Sequence, residues 1–253
     1  KEIAGFDLGM KMQEGAERFG VETQFAEVQK VDLVPEIKII QTTAGEYHGK
    51  TVVIAMGAGH KTLGVEYEAE LTGRGVAYCA TCDGMFYRGK EVAIVGGGNT
   101  AAADALHLAN IVDKVTLIHR RDTLKATKIY HEPLMQAENI HIMWNSQIDE
   151  LVFGDKLTGV KVKNIETGEI TQLPVEGLFV SVGRTPATKL FEGQLDLDEQ
   201  GYIATVAGTS KTSCEGIFAA GDVCDPHYRQ AIVAAGSGCI AALDAERFLQ
   251  AHK

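Results

Sequence analysis

One stretch near the middle of the chain constrains the fold more than any other. Glu91-Val92-Ala93-Ile94-Val95 is a short β-branched run. It leads into Gly96-Gly97-Gly98-Asn99-Thr100-Ala101 and then into an Ala-rich stretch. Strand, Gly-rich turn and helix in that order form the phosphate-binding start of a dinucleotide fold. The first Gly makes the turn, the second lets backbone approach a pyrophosphate, and a small third residue lets helix pack on strand. The helix N-terminus then offers free N–H groups and the positive end of its dipole. Two other segments fall short. Gly57-Ala58-Gly59 follows a strand but lacks the third small residue, and no helix follows it; Gly236-Ser237-Gly238 matches the letters but lies inside a helical pattern.

Around this unit, strand and helix patterns alternate, which predicts an α/β architecture with parallel sheets. The 28 glycines, about 11% of the chain against a usual ~7%, with only 5 prolines, suit many tight strand-to-helix turns. The pattern predicts a helix over MKMQEGAERF ending at Gly20, and strands at VETQFAEV, IKIIQTT and TVVIAMG. Further strands are expected at VTLIHRRD, HIMWN, QIDELVF, LTGVKVKNIE, EGLFVSVG and GIFAAGD. LKATKIYHEPLMQAEN reads as a helix that Pro133 kinks, and RQAIVAAGSGCIAALDAERFLQ as a long closing helix. Gly-rich crossings at Gly57–Gly59 and Gly183–Pro186 bracket about 125 residues, a typical domain size. The expected division is therefore residues 1–59, an inserted domain over 60–184, and a return over 185–253. A net charge of −10 argues against nucleic acid and anionic membranes as partners, and no apolar run reaches the ~18 residues of a membrane span.

The second strand of the nucleotide unit selects the cofactor. A site for NAD wants an acid about 20 residues after the first Gly. Here His119-Arg120-Arg121 stands there, with Lys125 and Lys128 following. Planar guanidiniums suit a 2′-phosphate, so the expectation is NADPH.

Five cysteines are too few for a disulfide scaffold, and a reducing cytosolic compartment fits them. Cys79-Ala80-Thr81-Cys82 is the exception, spaced to open and close a small disulfide ring. Asp83 adjoins it as a candidate general acid. A zinc site would want a second ligand pair, which the chain lacks, so no metal is expected. Cys214, Cys224 and Cys239 are read as inert.

VAYCATCDGMFYRGKEVAIVGGGNTA, VTLIHRRD, IFAAGDV and YRQAIVAAGSGCIAALDAERFL closely resemble low-molecular-weight thioredoxin reductases of the bacterial type, in order along nearly the whole chain. The resemblance implies two Rossmann-like nucleotide-binding domains, an NADPH domain inserted into an FAD domain and rotating against it. It implies a cytoplasmic homodimer that passes electrons from NADPH through FAD and a redox disulfide to thioredoxin. Carried over by position, Cys79 exchanges with thioredoxin, Cys82 faces the flavin and Asp83 supplies the proton. Gly96, Gly98, Asn99, Thr100, Ala101, His119, Arg120, Arg121 and Lys125 would hold NADPH. Gly57, Gly221, Asp222, Arg229, Gln230 and Ala231 would meet FAD, the last three at a helix start.

Two departures stand out. Met56 replaces a Thr common in the family, and the family's first strand–GxGxxG–helix, which holds the ADP half of FAD, has no counterpart before Gly57. The chain opens at Lys1 rather than Met, so it reads as lacking that unit. Two alternatives follow: a non-catalytic NADPH-binding module unable to hold FAD, or a related NADPH-dependent flavin disulfide reductase serving another protein.

Overall fold

A computed structural model describes residues 4–252, so Lys1 lies outside the described residues. The chain divides into two compact units, Gly59–Thr185 and Lys1–Ala58 with Pro186–Lys253.

In the central unit, five parallel strands form one sheet in the order Val76–Ala77, Gly177–Ser181, Glu91–Gly96, Lys114–Ile118, Ile140–Met143. Helix Asn99–Ala109 makes the crossover from the third of these strands to the fourth and buries Ala101, Ala102, Ala105 and Leu108. These small side chains let it lie close on Val92, Ile94, Val115 and Leu117, with Phe179 in the same core. The sheet's other face is covered by antiparallel strands Ser146–Phe153, Leu157–Asn164 and Ile170–Leu173. Ile148 and Leu151, either side of a register shift, and Val160 and Val162 pack there against Ala93, Ile118, Leu178 and Val180. The unit is thus a three-layer α/β sandwich, and the antiparallel layer qualifies the expectation of parallel sheets alone.

The other unit holds helix Gly5–Glu17, an antiparallel meander of Val28–Asp32, Lys38–Thr42 and Gly45–Gly49, and a parallel pair of Val52–Ile54 with Ile217–Ala219. Val31, Leu33, Ile54, Phe191, Ile203 and Ile217 make its core. Helix Ala231–Ala251 runs 21 residues, yet only Ala241 and Asp244 on it are buried.

Two expected elements differ from the structure. VETQFAEV is extended only from Val28 onward. Val21 and Phe25 are exposed, so their alternation has no face to bury. The expected helix over LKATKIYHEPLMQAEN shrinks to a 3₁₀ turn Lys128–Tyr130 and helix His131–Gln136. The amides of Lys125 and Ala126 bond instead to the Gly97 carbonyl, at 2.7 and 3.0 Å. Pro133 falls in the helix's first turn, where no intrahelical N–H bond is lost.

Candidate functional site

The central unit carries a cleft of about 840 Å³ at the C-terminal ends of its parallel strands, where open α/β sheets bind ligands. Gly96, Gly97 and Gly98 form its floor. Each glycine serves a different need. A Cβ on Gly96 would stand 2.5 Å from both the Ala101 Cβ and the Ser181 carbonyl oxygen. A Cβ on Gly97 would stand 2.0 Å from the His119 ring, but one on Gly98 would meet nothing within 4 Å. Gly96 and Gly97 are therefore required by packing, and Gly98 keeps bare backbone open to a ligand. Helix Asn99–Ala109 begins at Gly98 with no side chain capping it. Its first N–H groups are left for an anion. These features fit a pyrophosphate.

Arg120, Arg121 and Lys125 line the same cleft, and all three are exposed. Their loop is tied to the glycine turn. The Thr127 N–H donates to Asn99 Oδ1 at 2.8 Å, and the buried His119 ring lies against Gly97, with Nε2 2.9 Å from the Thr123 carbonyl. Of the residues expected to hold NADPH, Gly96, Gly98, Thr100, His119, Arg120, Arg121 and Lys125 line one cleft. Asn99 and Ala101 stand behind it, one tying loops together and the other packing beneath Gly96. Lys61, Thr62 and Leu63 form a further wall. No motif marks that wall in the sequence.

Cys79 and Cys82 are joined as a disulfide in the same unit. Cys79 caps the short helix Ala80–Asp83, and its Sγ accepts the Cys82 N–H at 3.1 Å. Cys79 is half-buried and Cys82 exposed. Gly84 follows because a Cβ there would press on Leu108 at 3.1 Å, so the CATCDG turn seats directly on the nucleotide helix. Burial pushes the Asp83 carboxyl above the usual carboxylate range. Just past it, Met85 and Phe86 are exposed, Phe86 at 76%, beside an accessible disulfide. No motif in the sequence marks that apolar pair.

The remaining expected residues lie in the other unit. Gly57 and Gly221 take left-handed backbone, with φ of 71° and 75°. The Gly221 N–H donates to Ser237 Oγ at 2.8 Å. Asp222 lies in the 3₁₀ turn Gly221–Val223. Arg229, also left-handed at φ 51°, is fixed by Asp225, whose carboxylate accepts the N–H groups of His227, Tyr228 and Arg229. Burial raises the Asp225 carboxyl, but these donors outweigh it and leave it below the ordinary value. Gln230 then starts helix Ala231–Ala251 with no side-chain cap. The uncapped start of a 21-residue helix suits the electron-rich ring end of a flavin. Of the six residues expected to meet FAD, only Gly221 lines the adjoining pocket of about 260 Å³, below the ~300 Å³ floor of ligand sites. That pocket is too small for a dinucleotide. Among the described residues no cluster could hold a metal ion.

The sequence profile of the pyridine nucleotide-disulphide oxidoreductases matches residues 2–238. A thioredoxin reductase of Streptomyces coelicolor is 47% identical over 250 residues, 98% of this chain and 78% of that protein. One from Rickettsia conorii is 44% identical, over 98% of this chain and 81% of its own length. A crystal structure of thioredoxin reductase from Streptococcus pyogenes superimposes with a TM-score of 0.92 at 38% identity, covering 98% of this chain and 81% of that one.

Proposed function

The chain belongs to the thioredoxin reductases, within the pyridine nucleotide-disulphide oxidoreductases, and from that premise we propose which residues carry each part of the reaction. It is an NADPH-dependent flavoprotein disulfide oxidoreductase. The alternatives of a non-catalytic module and of another flavin disulfide reductase are not favoured by these relatives. When bound, FAD supplies the two-electron relay between nicotinamide and disulfide.

Gly59–Thr185 is read as the NADPH domain, and the other unit as the FAD domain. The Gly96–Gly98 turn and the uncapped helix start receive the pyrophosphate. Arg120 and Arg121 fork onto the 2′-phosphate, with Lys125 beside them. Asp222 would hold the flavin side chain, and the backbone from Arg229 to Ala231 would stand at its ring.

In the outgoing half-reaction the reduced Cys79 thiolate attacks one sulfur of oxidised thioredoxin. One thioredoxin sulfur leaves, and Asp83 gives it a proton. The Asp83 carboxylate then takes the Cys82 proton, and the Cys82 thiolate attacks Cys79, releasing the second thioredoxin sulfur as a thiolate and restoring the Cys79–Cys82 bond. Thioredoxin gains two electrons, and the dithiol loses them. Met85 and Phe86 are the apolar surface on which the protein substrate rests. A homodimer in the reducing cytoplasm completes the reading. Cys214, Cys224 and Cys239 stay unpaired, which suits that compartment.

The observation that carries this reading is the convergence of an open Gly98 and two arginines on one cleft. Replacing both Arg120 and Arg121 with Ala should raise the dissociation constant for NADPH roughly 100-fold, the cost of two charge-assisted contacts. NADH, which lacks the 2′-phosphate, should change by no more than about twofold. Equal weakening of both nucleotides would remove the assignment.

A further inference from the structure

Glu68 is a carboxylate at 4% exposure with four polar contacts. Both its oxygens accept the Leu63 N–H, each at 2.9 Å. Oε2 also accepts the Gly64 N–H at 2.9 Å, and Oε1 accepts the Tyr78 hydroxyl at 2.8 Å. Tyr78 stacks on His60, with ring centroids 3.6 Å apart, and directly precedes Cys79. Burial first, then the Glu68 carboxylate, pushes the Tyr78 phenol up to about 12, so it stays a donor at neutral pH.

Turning Glu68 inward strains the chain. Tyr67, just before it, has φ 63°, a left-handed conformation that an aromatic residue seldom adopts. The Thr72 hydroxyl donates to the Glu68 carbonyl at 3.1 Å and the Leu71 N–H to the Tyr67 carbonyl, holding the bend. Glu68 does not line the cleft, but Leu63, whose N–H it binds, lines the cleft with Lys61 and Thr62, and Gly64 follows directly.

We propose that Glu68 is a positioning residue for the nucleotide cleft: it clamps Leu63 and Gly64 so that the 61–63 wall faces the glycine turn preformed, with Tyr78 bracing the clamp. The proposal rests on the reading of this cleft as the NADPH site. The clamp touches no feature that separates NADPH from NADH, so it governs affinity for both. Arg120 and Arg121 govern the choice between them.

The test uses the full chain and equilibrium binding of NADPH and NADH, which needs no turnover. Glu68→Gln puts an amide NH₂ among N–H donors, and it should weaken both nucleotides about tenfold at a constant NADPH/NADH ratio. In the FAD-loaded enzyme the KM for NADPH should rise while kcat stays within about twofold. Tyr78→Phe keeps both amide contacts and the stacking, and should weaken binding only about two- to threefold. Glu68→Gln with wild-type affinity would overturn the proposal. If Glu68→Gln does not fold, wild-type affinity in Tyr78→Phe would overturn it instead, and two- to threefold weakening would uphold it. Unchanged NADPH affinity in the Arg120→Ala, Arg121→Ala variant, beside weakened binding in Glu68→Gln, would reject the 2′-phosphate reading and keep the clamp.

Discussion

Asp83 has two demands on it that pull apart. In its proposed role as proton donor it benefits from burial, which raises its carboxyl above the ordinary range and keeps it protonated to higher pH. As part of the fold it costs stability, because at neutral pH the ionised form is held in a partly desolvated place. A carboxyl raised in the folded state contributes stability below its unfolded value, and that contribution is lost as pH rises through the folded value. Asp83→Asn should therefore be more stable than the parent near pH 7, and the difference should close as pH falls below about 4. The same change should slow thioredoxin reduction roughly 10- to 100-fold, within the range of a lost general acid, and leave NADPH affinity unaltered. Denaturant midpoints across pH and steady-state rates check both halves. A variant that is less stable at pH 7, or as fast as the parent, would refute the dual role. Asp83 was legible in the sequence because it follows the second Cys; its burial was not, because that depends on packing far along the chain.

At the scale of elements, the glycine turn and the arginine loop behave as one piece. The Gly97 carbonyl takes the Lys125 and Ala126 amides, Asn99 takes the Thr127 amide, and the His119 ring fills the space where a Gly97 side chain would go. Gly97→Ala should force His119 out and shift Arg120 with it, costing about 1–3 kcal/mol of stability and most of the NADPH affinity. Adding His119→Ala should return much of both. Thermal unfolding with nucleotide titration reads the pair, and a double variant no better than Gly97→Ala would exclude the packing account. The turn itself was plain from strand, glycines and helix in order. Its ties to residues 125–127 were not, because those amides leave a helical pattern for a tertiary acceptor, and periodicity cannot report that. The same limit hid the Lys61–Leu63 wall, which a buried Glu68 organises without any motif.

The closing helix is anchored differently. Asp244 is buried and accepts both the N–H and the hydroxyl of Ser210, at 3.0 and 2.8 Å. Those two bonds hold its carboxyl below the ordinary range. Such a group contributes stability above its unfolded value, about 3.9, and loses it as pH falls through the lower folded value. Asp244→Ala should cost about 1–3 kcal/mol at pH 7 by stranding the Ser210 donors. The gap should shrink in acid, and a gap that stays constant down to pH 2 would contradict the anchoring.

For the whole molecule, the order of motifs along the chain marks a dinucleotide unit and a cysteine pair that the structure closes as a disulfide, and the family resemblance adds the residues proposed to meet the flavin. The sequence expects crossings at Gly57–Gly59 and Gly183–Pro186, and the two compact units divide between Ala58 and Gly59 and between Thr185 and Pro186. What it could not convey is how unevenly burial is shared. The central unit closes a three-layer core, whereas the other unit leaves Ile232 at 81% and Phe6 at 77% exposure on its helices. Helical spacing in those segments marks an apolar face but not what lies against it. The electron path from NADPH to the Cys79–Cys82 pair is the central claim. Its most direct test loads the full chain with FAD, adds NADPH without oxygen, and maps which thiols become open to alkylation. Cys79 and Cys82 should become labelled, and oxidised thioredoxin should then remove that labelling while gaining thiols of its own. NADPH oxidised with the Cys79–Cys82 bond still intact, or a chain that stays colourless in excess FAD, would contradict it.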